Sequence, residues 1–452
     1  HRDLHSFPTR RSSDLEITIT GGRLTPSPKA YEGMMRTLIT LLTLALLIPG
    51  MALGITRIVK LDGSGDYTSI QAALNAAQSG DTVLVYPGRY YENLTIQTNN
   101  LSLISLEAQT NNPAYIDSTI IDGTRTTSVV AVGQNKQNIT VRGFTITNGK
   151  GNGINFGPSS IAFLTNCHIM NNIASNGGGI SVACALVTIS GVSVYNNYAV
   201  YLGGGLYVMS GGGFANNVIL DPVNRCSIYN NRSGLGQDIY VQDATSNLNV
   251  SLDTFSVAVP TTYYAIFLTQ NEANHQMTFD IQNAHHQEIN QDIYVAPDGD
   301  DDNDGLSPST PLKTIQEGIY RVAADSLNQK TVHLLPGTYS RTDKDQIFPI
   351  ALKSWVKVQG SGIDSTEVVG EPHPLIPVGY GSADIIFMTY MEPVVSIADI
   401  SVTTMDTDNS CIILGFKKGS LNLANVRIYD VTPNYRSEER RVGKECRSRG
   451  SP

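Results

Sequence analysis

Short segments in which apolar and polar residues alternate recur through the middle of the chain, and four of them end on asparagine. They are Phe144-Thr145-Ile146-Thr147-Asn148, Cys167-His168-Ile169-Met170-Asn171, Val192-Ser193-Val194-Tyr195-Asn196 and Cys226-Ser227-Ile228-Tyr229-Asn230. Alternation with period two predicts strands. Starts separated by 23, 25 and 34 residues give each repeat the length of one coil of a parallel solenoid. The predicted inward columns are Phe144/Cys167/Val192/Cys226 and Ile146/Ile169/Val194/Ile228, with Thr145, His168, Ser193 and Ser227 facing outward. Asparagine tolerates the left-handed backbone of a sharp corner, so Asn148, Asn171, Asn196 and Asn230 are expected to turn the chain and stack as an amide ladder. Gly177-Gly178-Gly179 and Gly203-Gly204-Gly205 mark a second repeated corner from which side chains are excluded. Ile400-Ser401-Val402-Thr403-Thr404 and Val426-Arg427-Ile428-Tyr429-Asp430 continue the pattern at a spacing of 26, which predicts further coils beyond Trp355.

A longer pattern is present twice. Leu61-Asp62-Gly63-Ser64-Gly65-Asp66-Tyr67 leads to Ile70-Gln71-Ala72-Ala73, then Asp81 to Tyr86 and Pro87-Gly88-Arg89-Tyr90. Ala296-Pro297-Asp298-Gly299 leads through an acidic turn to Lys313-Thr314-Ile315-Gln316-Glu317-Gly318, then Thr331 to Leu335 and Pro336-Gly337-Thr338-Tyr339. Two copies of one architectural unit are therefore expected, at 55–289 and 290–435.

These motifs resemble the opening of right-handed parallel β-helix proteins of the pectin-lyase-like superfamily. The resemblance implies an all-β, right-handed parallel β-helix solenoid in two tandem units, each opened by a short capping helix at the Ile-Gln segment. Asp304-Gly305-Leu306-Ser307-Pro308 is similar to a second opening type found in bacterial surface β-helix proteins, and the Asn-Asn and Gly-Gly-Gly corners loosely resemble adhesin-like repeats. It covers Ile55 to Tyr435 and is specific for the fold rather than for an activity.

Composition narrows the class of partner. A net charge of -9, with 16% charged and 41% hydrophobic residues, is globular and argues against a nucleic-acid surface. The basic clusters lie at the ends: residues 1–15 and 436–449 read as antisense translations of one another and resemble a translated sequencing-library adapter, so 1–33 and 436–452 are set aside and the reading frame is expected to run past Tyr435. Met34 or Met35, Arg36, the apolar run Leu38–Ile48 and the small-residue exit to Gly54 read as a secretory signal at 34–54, too short to span a bilayer. Export to the cell surface or medium is expected, with no membrane span in the mature chain. Cys446 falls in the adapter-like end, and Cys167, Cys184, Cys226 and Cys411 read as packing residues; Cys167 and Cys226, two coils apart, are roughly 9.6 Å from each other and beyond disulfide reach.

Candidate chemistry is sparse. From Gly123 to Leu220 there is no Asp or Glu, so paired-carboxylate or calcium-assisted catalysis has no acids on the best-defined coils, and no catalytic residues are assigned. His168, Arg142 and Lys150 read as isolated. Tyr195 and Tyr229, one coil apart with His168 nearby, are the candidate glycan-binding residues. Asp300, Asp302 and Asp304 have the spacing of a calcium loop, although Pro311 stands where a helix-loop-helix site places Glu; calcium is the one cofactor suggested, against a solvated acidic turn. The expected role is a non-catalytic scaffold whose partner is a polysaccharide or a surface protein. The alternative is a polysaccharide lyase or related carbohydrate-active enzyme with its site in the second unit, which requires carboxylates and a base on one face, for instance around Asp364, Glu367 and Lys353.

Overall fold

The computed structural model describes residues 54–371 apart from 212, 215–216 and 270–274, then 386–389, 394–404, 413–415 and 420–429, together with short strands at 19–20, 23–24 and 440–441. Residues 34–53 of the expected signal segment at 34–54, Cys411, Asp430 and the adapter-like sequences 1–15 and 436–449 (all but the backbone of strands 440–441) lie outside the described residues. Within residues 1–53, Ile19–Thr20 pairs antiparallel with Arg23–Leu24.

From Gly54 onward the chain winds as a right-handed parallel β-helix. One coil shows the plan. Ile161–Thr165 lies on a first face, His168–Met170 on a second, Ile173–Asn176 on a short lateral strip and Ile180–Ala183 on a third, after which Leu186–Ser190 returns to the first. Each strand pairs in parallel with its counterpart one coil on, for example Ile169 with Val194 and Val194 with Ile228. Both predicted columns are interior: Phe144, Cys167, Val192 and Ile146, Ile169 are 0% exposed, and Val194, Cys226 and Ile228 are 1% exposed. Cys167 and Cys226 are buried free thiols, their pKa pushed up by burial to about 12 and about 11. Thr145 faces outward as expected but is covered, because the helix Ala114–Ser118 folds over it and Ile116 O accepts its hydroxyl.

Asn148, Asn171, Asn196 and Asn230 all have positive φ, between 52° and 60°, so they turn the corner as expected. The ladder is built one residue later. Asn172 Nδ2 donates to Asn197 Oδ1 at 3.0 Å, Asn197 Nδ2 to Asn231 Oδ1 at 3.1 Å, and Asn231 Nδ2 to Asp238 Oδ1 at 3.0 Å. The reason is the reversal itself: a residue in the left-handed conformation aims its own side chain out, and its successor points in, where a buried amide must find partners. Of the expected set only Asn230 reaches its neighbour, donating to Asn196 at 2.6 Å; Asn148 donates to Asp122 instead.

The duplicated motifs fold alike. Ile70–Ala76 and Ile315–Arg321 are short helices capped by Ser69, whose Oγ accepts from Ala72 N, and Thr314, whose Oγ1 accepts from Glu317 N. A side chain from the first coil grips each helix start: Glu92 accepts from Ile70 N and Gln71 N at 2.8 Å, and Gln346 accepts from Ile315 N at 3.0 Å. Gly88 and Gly337 sit at φ 155° and 144°, where an added Cβ would meet Leu61 at 2.6 Å and Pro297 at 2.7 Å.

The strand Met277–Ala284 ends one set of sheets and Ile293–Val295 opens the next. The second set packs against the flank of the first, with Met388 buried in a cluster with Tyr207, Leu235, Tyr240 and Ile266. Gly234 is what admits it, since a Cβ there would lie 2.2 Å from Met388 Sδ. Among the described residues no helix is long and apolar enough to cross a membrane.

Candidate functional site

The second face of the first unit carries the sequence-predicted site residues. His168, Ser193 and Ser227 form one outward column, and Met170, Tyr195 and Tyr229 the next. Tyr195 and Tyr229 lie with ring centroids 5.4 Å apart and planes 6° from parallel, His285 stacks on Tyr229 at 4.4 Å, and His168 meets Tyr195 edge-on at 6.4 Å. The tyrosines thus turn faces toward one another along the solenoid axis, and their edges line the outer surface. Tyr195 Oη donates to Met170 Sδ at 2.9 Å.

His168 is not isolated. Its Nδ1 lies 3.0 Å from Asp117 Oδ1, supplied by the helix Ala114–Ser118 that arches over the face. Arg142 is not isolated either. It makes two hydrogen bonds to Glu107, 2.8 and 3.1 Å, and one to Asn111. Burial pushes the Glu107 carboxyl up, but the hydrogen bonds from Arg142 and Asn166 outweigh it and hold the group below its ordinary range. Both partners come from excursions preceding the carboxylate-free stretch, which is why inspection of that stretch alone misses them. Arg89 is likewise paired, with Asp122 at 2.6 Å.

Two of the three predicted calcium ligands, Asp300 and Asp304, are used by the turn itself. Asp300 Oδ1 accepts from Asp302 N, and Asp304 Oδ1 accepts from Leu306 N and the Thr310 hydroxyl. Asp301, not singled out by the spacing, accepts from Lys313 N, Thr314 N and Thr314 Oγ1 and so anchors the second capping helix. Among the described residues no group of three or more His, Cys, Asp or Glu side chains is placed to hold a metal ion.

Lys353 lies far from Asp364 and Glu367 in role: its ammonium is buried where the units meet, donating to Glu288 at 2.8 Å, Val322 O at 2.8 Å and Tyr320 O at 3.1 Å. Burial pulls its pKa down to about 8 despite Glu288. Next to it His286 packs against Tyr320 with ring centroids 4.3 Å apart and planes tilted by 34°, and neither ring nitrogen has a partner among the described residues; burial and then the Lys353 charge lower it to about 4. On the second unit's second face a different cation, Arg427, is paired with Asp364. Glu367, Ser401 and Arg427 form one outward column. Arg427 donates to Asp364 at 2.7 Å, and the Tyr429 hydroxyl donates to Glu367. Burial and then Glu367 raise the Tyr429 phenol to about 12.

Residues 297–420 match the family described as a protein of unknown function, DUF1565. No curated protein matches the chain. Among solved structures, a carrot pectin methylesterase is similar at 10% identity over 84% of this chain and 89% of its own, with a TM-score of 0.24. A pectin methylesterase in complex with a hexasaccharide is similar at 11% identity over 81% and 89%, TM-score 0.27, and a PL6 family alginate lyase at 9% over 77% and 59%, TM-score 0.20. Scores this low carry no argument about substrate or mechanism. The fold rests on the chain's own coils, whose parallel pairing from one coil to the next makes it a parallel β-helix.

Proposed function

We propose that the chain is an exported, non-catalytic β-helix scaffold that presents its outer faces to a glycan or a surface protein. The observation that supports this reading is the pairing of carboxylates with arginines on the first unit: Asp122 with Arg89 and Glu107 with Arg142. Glu107 and Asp122 would each have to leave an arginine before serving as a general acid or base. The test is incubation of the full chain with acidic and neutral polysaccharides, with reducing ends and unsaturated products measured. Retention on an immobilised glycan with no cleavage is the expected result, and depolymerisation sinks the reading.

A second reading has its own support. Asp364, Glu367, Arg427 and Tyr429 bring two carboxylates, a guanidinium and a phenol to one face of the second unit, the kind of grouping a carbohydrate-active enzyme uses. If cleavage is found, Glu367→Gln is expected to abolish it, whereas Asp117→Asn is expected to leave it intact.

A further inference from the structure

Between the two units runs a cleft of about 470 Å³, with Ile173, Asn196 and Asn230 on the wall from the first unit and Arg341 and Ile347 on the wall from the second. We infer that this cleft is a binding site for one or two rings of a neutral saccharide, held by the Asn196–Asn230 amide pair; the inference rests on the glycan reading and gives it a location.

The amide pair is the core of the argument. Asn230 Nδ2 donates to Asn196 Oδ1 at 2.6 Å, which leaves Asn196 Nδ2 and Asn230 Oδ1 without partners among the described residues. Reversing both amides leaves the same result, one free donor beside one free acceptor. A donor and an acceptor fixed side by side match two adjacent sugar hydroxyls, each of which gives one hydrogen bond and takes another. Both residues are locked at positive φ, 55° and 52°, so the pair is set in place before any ligand arrives. Their buried successors Asn197 and Asn231 hold them from behind through the ladder.

The rest of the cleft agrees with a sugar. Ile173 and Ile347 supply apolar walls for the C–H faces of a ring, and the volume lies in the range of small-ligand sites, which favour boundaries between structural units. Arg341 spends one nitrogen on Phe348 O at 2.9 Å and forms no ion pair among the described residues, so it has further N–H groups for hydroxyl or ring oxygens. The other charged groups of the lining are already paired, Arg232 with Glu317 and Asp345 with Lys313, and the net charge of -9 disfavours a polyanion. Tyr195 and Tyr229 immediately precede the amide pair, so a chain longer than the cleft would run out across their edges.

The test is isothermal titration of the full chain with cellohexaose, mannohexaose and hexagalacturonate. The expected result is binding of a neutral hexasaccharide that weakens about tenfold or more in the Asn196→Gly/Asn230→Gly variant. Glycine deletes the amides while keeping the left-handed corner, so folding is retained. Ile347→Trp, which fills the cleft from the other wall, is expected to abolish binding without touching the amides. Binding unchanged in both variants overturns the cleft assignment and leaves the glycan reading standing. Binding of hexagalacturonate alone overturns the neutral specificity, and no binding of any hexasaccharide removes the glycan reading together with the site.

Discussion

The hydroxyls of Tyr90 and Tyr339 occupy the same place in two different units. Tyr90 Oη lies 2.9 Å from Tyr86 O and 3.4 Å from Val59 O, and Tyr339 Oη lies 2.8 Å from Leu335 O and 2.9 Å from Val295 O. Each ties the strand before its Pro-Gly turn to the first strand of its unit, and each ring is almost wholly buried. Tyr339→Phe keeps the ring and removes the tie. We expect it to destabilise the chain by about 1–2 kcal/mol in urea unfolding, with Tyr90→Phe costing a similar amount and the two adding. A cost below the error of the measurement for both would show that the shared bond is incidental.

The inner ladder makes a sharper demand. Asn197→Ala removes the buried Oδ1 that accepts from Asn172 N and Asn172 Nδ2, and the Nδ2 that donates to Ile169 O, Tyr195 O and Asn231 Oδ1. A loss of about 2–4 kcal/mol is expected. Asn196→Ala, one residue earlier on the exposed corner, should cost about 1 kcal/mol through its backbone conformation and the loss of an exposed hydrogen bond from Asn230. Equal losses at the two positions would contradict the assignment of the ladder.

Docking of the units depends on Gly234. Gly234→Ala is expected to cost about 1–3 kcal/mol, because the new methyl meets both Met388 Sδ and Val200 O. Met388→Ala in the same chain should recover part of that loss, leaving the share due to Val200 O. A double-mutant cycle with no coupling would place Met388 elsewhere.

His286 predicts a pH dependence. Its folded pKa of about 4 lies below the ordinary value of 6.5, so the unfolded chain binds the proton first as pH falls. The contribution is complete above pH 6.5 and is lost toward pH 4, amounting to about 2 kcal/mol once partial exposure is allowed for. Asp238 works in the opposite sense: burial raises it from 3.8 to about 6, so the folded chain retains its proton there and its contribution falls as pH rises through that window. Unfolding measured between pH 4 and 6.5 should therefore show a flatter acid slope for His286→Phe and a steeper one for Asp238→Asn. Parallel slopes in all three chains would refute both assignments.

What was legible in the sequence was whatever repeats. The columns through Ile146, Ile169, Val194 and Ile228 follow from period two, and Ser69 and Thr314 cap their helices because the duplicated motif puts a hydroxyl residue before Ile-Gln in both copies. Which asparagine of each pair turns inward was not legible, since alternation breaks at a corner. Nor were the partners of His168 and Arg142, because Asp117 and Glu107 arrive on helical excursions outside the repeat. Lys353 looked like a surface base because sequence position does not reveal that Glu288 and the carbonyls of Tyr320 and Val322 enclose it.

The string from Asn172 to Asn231 runs one way, each amide giving its proton to the next, and it finishes on Asp238, whose receiving oxygen has no proton to pass on when ionised. Asp238 is therefore a full stop. A coil inserted before Asn231 with an asparagine at the inward position would lengthen the string without grammatical fault, whereas a coil inserted after it would begin with an amide whose donor is missing. The string can therefore grow from within and not from its end, whereas the solenoid itself runs on past it in the strands Leu248–Phe255, Ala265–Thr269 and Met277–Ala284.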